Sequence, residues 1–454
     1  MTGVRGMMRK AGILAGGVTL GMALAFAGTP AGAAPLAHPA QATVSPGARE
    51  SAVTEVSRGC GGQNAEVVSA EAPPRLVYAA WIGCGGIGFA RSTDGGLHFG
   101  KPRLMPGSAG LTWDPAITVA PDGTVYVAYM RHDHGFMRPV VDASFNHGVS
   151  FPQVVPVAPK VKNNWGDRDF IVAGRHGRLY LTWDYGPSAD KVIVVCPPSG
   201  SCAFSNGDVN SVIQTSTDGG KTWGPITPVG PHFPRNGGFS APVLIQPNGR
   251  VDVLSWGHFV GKAPTYKIFP GHEVFTSSAN GTTWPRHPRK LWPGKGPIAI
   301  PVWWIDGDLA ADAGGTLYAT WDTQTPAGDI GWLTWSANGG RTWSTPTRVT
   351  PGHTRAMHLV EVAGGRRGIA YVGWQTSASP RGYATYLRAY STSKGWLGRA
   401  LRVSPKFGSL KVWPGDTFGI ATRPGTGKVS VTWGSAVGGS GNSEIWGAVV
   451  TLHR

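Results

Sequence analysis

Gly177-Arg-Leu-Tyr-Leu-Thr-Trp183 reads as a turn glycine followed by a strand whose residues alternate between two faces and end on an aromatic. The rhythm recurs as Arg75-Leu-Val-Tyr-Ala-Ala-Trp81, Gly123-Thr-Val-Tyr-Val-Ala-Tyr129, Gly249-Arg-Val-Asp-Val-Leu-Ser-Trp256, Gly315-Thr-Leu-Tyr-Ala-Thr-Trp321, Gly368-Ile-Ala-Tyr-Val-Gly-Trp374 and Gly427-Lys-Val-Ser-Val-Thr-Trp433. Seven copies of one unit mark a repeat architecture. A second apolar strand precedes each copy, as in Pro115-Ala-Ile-Thr-Val-Ala120, Phe170-Ile-Val-Ala173 and Asp308-Leu-Ala-Ala311. Pro-Asp-Gly, Arg-His-Gly or Ala-Gly-Gly joins the two, which suits a tight hairpin. Helix signals are absent, and 68 Gly with 37 Pro supply the punctuation of an all-β chain.

Downstream of five copies stands a second marker: a Ser, an Asp or its substitute two residues on, a Gly two further, and an aromatic three later. It is complete in Ser92-Thr-Asp94-Gly-Gly96-Leu-His-Phe99 and Ser216-Thr-Asp218-Gly-Gly220-Lys-Thr-Trp223. Weaker copies are Ser144-Phe-Asn146-His-Gly148-Val-Ser-Phe151, Ser277-Ser-Ala279-Asn-Gly281-Thr-Thr-Trp284 and Ser336-Ala-Asn338-Gly-Gly340-Arg-Thr-Trp343. In such a turn Asp accepts backbone N–H groups, Gly supplies positive φ and the aromatic pins the hairpin to the core. The Asn280-Gly-Thr282 sequon falls inside one copy and reads as turn structure.

The marker resembles the Asp box, and the chain is similar to Asp-box (BNR-repeat) β-propellers of the sialidase superfamily. The repeats then predict a β-propeller of seven four-stranded blades, with six, the number in sialidases, as the alternative. Val53-Thr-Glu-Val56 has no blade of its own and is expected to close the ring from the N-terminus.

In a propeller the first strand of every blade starts at one mouth of the central channel, so residues just before it face a shared opening. Trp113-Asp114, Trp165-Gly-Asp167, Trp304-Ile-Asp306 and Trp413-Pro-Gly-Asp416 stand there, with the cationic Arg168, Arg235, Arg355 and His358. Trp faces stack on sugar rings and carboxylates bind hydroxyls, so Trp113, Trp165, Trp304 and Trp413 are candidates for substrate binding, as are the four cationic residues. Asp114, Asp167, Asp306 and Asp416 are the candidate acids for glycoside hydrolysis, which needs two carboxyl groups about one bond. The bland alternative is that each Asp caps the start of its strand while the Trp packs between blades.

The resemblance implies three arginines on a substrate carboxylate, a Tyr nucleophile assisted by Glu, and an Asp acid or base. Arg168, Arg235 and Arg355 could supply the clamp, and Tyr185 or Tyr386 the nucleophile. The opening strand, however, reads Asn64-Ala-Glu-Val-Val-Ser69, where the family carries its first arginine. The expected function is therefore a sialidase-like, carbohydrate-binding propeller, with glycoside hydrolysis open. The alternative is a non-catalytic propeller for protein or cell-wall interactions. His132-Asp133-His134 suggests a metal, yet no third ligand is evident from spacing, so no metal and no cofactor are expected.

The chain begins with Arg5, Arg9 and Lys10, then an apolar run ending Ala31-Gly-Ala33, which predicts a signal peptide over 1–33 and a secreted protein. Residues 34–49, rich in Ala, Pro and Ser, read as a flexible linker, and 50–454 as one propeller domain. Four cysteines in an exported chain favour disulfides. Cys196 with Cys202 and Cys60 with Cys84 are natural pairs, although all three connectivities remain open. The net charge of +16 includes the three cations of the leader, so the remainder carries +13. That balance favours a glycan or cell-surface polymer, anionic in particular. No basic run interleaved with aromatics points to nucleic acid, no later segment spans a bilayer, and a monomer is expected.

Overall fold

The computed structural model describes residues 48–188, 193–195, 203–205, 209–229, 238–239, 242–260, 268–285, 288–291, 307–325, 328–349, 357–379, 381–423, 426–437 and 441–452. The signal-peptide assignment and most of the linker lie outside these residues, as do Cys196, Cys202, Arg235, Trp304, Asp306 and Arg355.

Seven antiparallel blades follow one another in chain order. Blade 1 comprises Ala65–Ala72, Leu76–Gly83, Gly86–Ser92 and Arg103–Leu104, running from the inside outwards. The inner strands of blades 2 and 3 are Thr112–Val119 and Trp165–Ala173, and those of blades 5 and 6 are Asp308–Ala311 and Met357–Gly364. Blade 4 builds its inner position from two pieces, Gly238–Phe239 and Val243–Ile245, both paired with Val251–Val260.

Blade 7 takes Gly419–Thr422, Lys428–Ser435 and Glu444–Leu452 from the C-terminal end. Its outer position is filled from the N-terminus: Ala48 pairs with Leu452 and Glu50 with Val450, then Thr54 with Gly447 and Glu55 with Trp446. The expected N-terminal closure is therefore present. Among the described residues it includes Ala48 and Arg49, which fall in the stretch read as linker, and it covers the edge of Glu444–Leu452. The Cys60–Cys84 disulfide fastens the chain just beyond this closure to blade 1.

Core side chains lie between blades. Tyr78, Ile87 and Phe89 of blade 1 pack on Val125, Val127, Tyr129 and Val140 of blade 2, and the pattern repeats around the ring. The aromatics that end the sequence repeat, Trp81, Tyr129, Trp183, Trp321, Trp374 and Trp433, are all buried. Alternation thus gave each strand two apolar contacts, one with the blade before and one with the blade after.

The Ser-x-Asp turns sit at the opposite end of the molecule from the channel mouth considered below, because Ser92 pairs across from Val77 whereas the mouth end of the same strand, Ile82, pairs with Ala65. In blade 3 the Ser216 hydroxyl donates to Asp218 (2.7 Å) and accepts from the Gly220 N–H, and Asp218 accepts from the N–H groups of Lys221 and Thr222. The blade 4 copy is shifted by one residue from the expected Ser277 and Ala279. Ser278 and Asn280 make the contacts, and the Gly281 N–H reaches Ser278 one residue early because this turn is a residue shorter.

Candidate functional site

Opposite the buried aromatic of each of the first three blades, the inner strand carries one residue too many. Glu66-Val67 oppose Trp81, Asp114-Pro115 oppose Tyr129, and Arg168-Asp169 oppose Trp183. Such a bulge re-aims a side chain. Its first residue lies in the left-handed region each time, with φ of 51° at Glu66, 48° at Asp114 and 50° at Arg168. A non-glycine residue there costs about 1–3 kcal/mol, and such strain clusters at functional sites.

These three side chains meet. Asp114 accepts the backbone N–H of Arg168 at 2.7 Å and hydrogen-bonds the carboxyl groups of Glu66 and Asp167. Asp167 also accepts the indole N–H of Trp113 at 2.8 Å. Asp416, from the segment leading into blade 7, pairs with the Arg168 guanidinium at 3.2 Å and accepts the indole N–H of Trp413 at 2.8 Å. Two residues earlier, the Pro414 carbonyl accepts the Glu66 N–H, so blades 1, 2, 3 and 7 converge on one cluster. Glu66, Asp167, Arg168, Asp169 and Asp416 are buried, and Asp114 is half-buried.

Burial, together with the neighbouring charges of Asp114 and Asp416 and the hydrogen bond to Asp114, holds the Glu66 carboxyl well above the usual carboxylate range, against the pull of Arg168. Burial and the Asp114 charge do the same to Asp167 and Asp169. Glu66 Oε2 has no hydrogen-bond partner. Carboxyl groups in hydrogen-bond contact act as one proton-sharing unit. They lie closer than the 5–9.5 Å that separates the two carboxyl groups of a glycosidase, so the unit does not by itself supply both groups of such a pair.

Of the predicted residues, Asp114, Asp167, Asp416, Arg168, Trp113 and Trp413 come together here. They do not share one structural slot, because the bulge sets the register: Asp114 is equivalent to Arg168 and Glu66, whereas Asp167 is equivalent to Trp113 and Asp416 precedes its inner strand. Trp165 is buried at the start of the same strand. His358 lies at a similar bulge in blade 6, followed by Leu359 at φ 58°. Glu66 lies in the Asn64–Ser69 strand without a Trp before it, so the Trp-and-Asp pattern does not mark it. Burial pushes the hydroxyls of Tyr185 and Tyr386 up, away from what a nucleophile needs. Asp133 is held by Arg138 at 2.7 Å and Arg131 at 3.4 Å, and among the described residues no group of three His, Cys, Asp or Glu could hold a metal.

No protein-family model and no curated protein matches this sequence. Solved structures do. A protein of unknown function from Dyadobacter fermentans is 13% identical, covering 90% of this chain and 100% of its own, with a TM-score of 0.52. A polysaccharide lyase, the PL25 ulvan lyase, is 12% identical over 88% and 95%, at 0.55. The α-L-arabinofuranosidase Arb93A from Fusarium graminearum is 11% identical over 86% and 93%, at 0.50. Sialidases also match, at TM-scores of 0.48 and 0.44. At such identities the likeness establishes the fold alone. Among the described residues no helix is long and apolar enough to cross a membrane, and the disulfide fits an oxidising compartment.

Proposed function

We propose that this chain is an exported carbohydrate-active propeller that binds a glycan at the mouth shared by blades 1, 2, 3 and 7. Asp114, the half-buried member, meets the sugar, and Glu66 serves as its proton reserve. The observation that carries this reading is the hydrogen-bonded carboxyl unit of Glu66, Asp114 and Asp167, with Glu66 and Asp114 raised on equivalent bulges. A carboxyl group whose pKa burial has raised suits the protonation of a glycosidic oxygen. A hydrolytic pair would need a second carboxyl pole beyond this unit.

The fold shared with a polysaccharide lyase and an arabinofuranosidase is consistent with a glycan ligand. The Ser-x-Asp turns act in this reading as Asp boxes, and the apolar leader with the Cys60–Cys84 bond supports export. A clamp specific for sialic acid is not favoured: the opening strand presents Glu66, and Arg168 is engaged by Asp416. Incubating the mature protein with a panel of neutral and acidic glycans, with and without Asp114→Asn, tests the proposal. Wild-type binding or turnover that the variant loses supports it; a wild type that neither binds nor cleaves any member refutes it.

The burial of Glu66, Asp167 and Asp416 favours a second reading, in which the cluster only knits the ring and the propeller displays its loops to a partner. Partner binding that survives Asp114→Asn would select it.

A further inference from the structure

At the end of the ring opposite the carboxyl cluster, blades 1 and 7 enclose a cavity of about 370 Å³ lined by Arg75, Arg423, Lys428, Glu71, Asp94 and Val449 among others. That volume falls within the usual range for small-ligand sites and suits a single sugar ring with its substituent. Three cations face it from separate elements. Arg75 follows the first turn of blade 1, Arg423 and Lys428 flank the corresponding turn of blade 7, and among the described residues none of the three forms an ion pair.

Two acids share the wall, which leaves the cations in the majority. Asp94 is spent within its own turn: Oδ1 accepts the Ser92 hydroxyl at 2.8 Å and the N–H groups of Leu97 and His98 at 3.1 and 3.0 Å, while Oδ2 contacts the His98 ring at 2.7 Å. Glu71 is half-buried, and burial pushes its carboxyl up to about 7 despite Arg423 and Lys428 nearby. One side of each guanidinium is fixed by backbone, Arg75 to the Asp94 carbonyl and Arg423 to the Pro74 carbonyl, which holds both forks at the rim. Pre-positioned guanidinium groups bind oxyanions through paired N–H donors, and an ammonium adds a point charge.

We infer that this cavity is an anion-binding site, taking the carboxylate, sulfate or phosphate group of a sugar-sized ligand between Arg75, Arg423 and Lys428. It is independent of the carboxyl cluster and gives the strongly basic chain a defined place to hold an acidic polymer.

Titration calorimetry of the mature protein at fixed ionic strength, with sulfate, glucuronate and glucose, tests this. Sulfate and glucuronate should bind and glucose should not. Lys428→Gln, an exposed change that leaves the core intact, should weaken both anions by about tenfold, whereas Lys394→Gln on the outside of blade 6 should not. Absence of anion binding, or equal binding by Lys428→Gln, overturns the inference.

Discussion

Glu66 shows how a residue can be invisible to sequence scanning and central in space. The pattern of a Trp with an Asp close behind includes Asp114, Asp167 and Asp416, and the last two accept indole N–H groups, from Trp113 and Trp413. It does not mark Glu66, because the shared feature is a left-handed bulge opposite an aromatic, and no dipeptide encodes that. Since burial holds the Glu66 carboxyl well above the usual carboxylate range and the group hydrogen-bonds Asp114, Glu66→Gln keeps shape and hydrogen bonding but removes the titrating proton. Glycan binding should therefore stay within about twofold, while any glycoside turnover falls by about 10²–10⁴. Parallel binding and rate measurements on the variant decide this: equal loss of both would assign Glu66 to packing. Arg168→Ala belongs to the same scale. It leaves Asp416 buried without its cation, and thermal or denaturant unfolding should show a loss of about 3–5 kcal/mol.

At the scale of elements, the repeat was readable because it serves two purposes at once. Alternation forms the strand, and the turn that follows docks on the blade before it. A Cβ placed on Gly148 would overlap Tyr78, one on Gly281 would overlap Tyr180, and one on Gly340 would overlap Phe275, each belonging to the preceding blade. These glycines also have φ of 78°, 73° and 82°. The turn therefore couples neighbouring blades, which is why it persists where its Asp has become Asn. Gly281→Ala should destabilise by about 3 kcal/mol through overlap and backbone strain together, measured by denaturant unfolding. A change below 0.5 kcal/mol would mean the turn does not carry the contact. The one-residue shift in this same turn was not legible, since Ser277 and Ser278 are equally good donors on paper and only the shortened loop selects Ser278.

Over the whole molecule, location sorts the carboxyl groups into two populations. Burial raises Glu50 and Glu71 to about 7 and Asp142 and Asp252 to about 6, so their protonated forms favour folding at acid pH and that contribution fades as pH rises through 6–7. Turn hydrogen bonds, led by the Thr222 hydroxyl, lower Asp218 to about 2. At Asp94, burial opposes the shift, but the His98 and Ser92 contacts outweigh it and bring the group to about 2 as well. Those contributions are present above the ordinary carboxylate range and are lost as pH falls toward 2. Calorimetric Tm values should therefore peak near about pH 4 and decline to about pH 7, and a Tm rising steadily to about pH 7 would contradict the assignment. Ring closure is the other property of the whole. Removing residues 48–56 deletes five paired positions on Glu444–Leu452 and the buried Val56, while leaving the Cys60–Cys84 bond in place. The expected loss is about 5 kcal/mol, or some 6 °C in Tm for a domain of this length, together with aggregation through the bared edge. Reducing the disulfide alone should cost about 3 kcal/mol without exposing that edge, so it should lower Tm without promoting association. Scanning calorimetry with light scattering separates the two, and a truncated protein as stable and monodisperse as the parent would show that the seven blades hold together without the N-terminal strand.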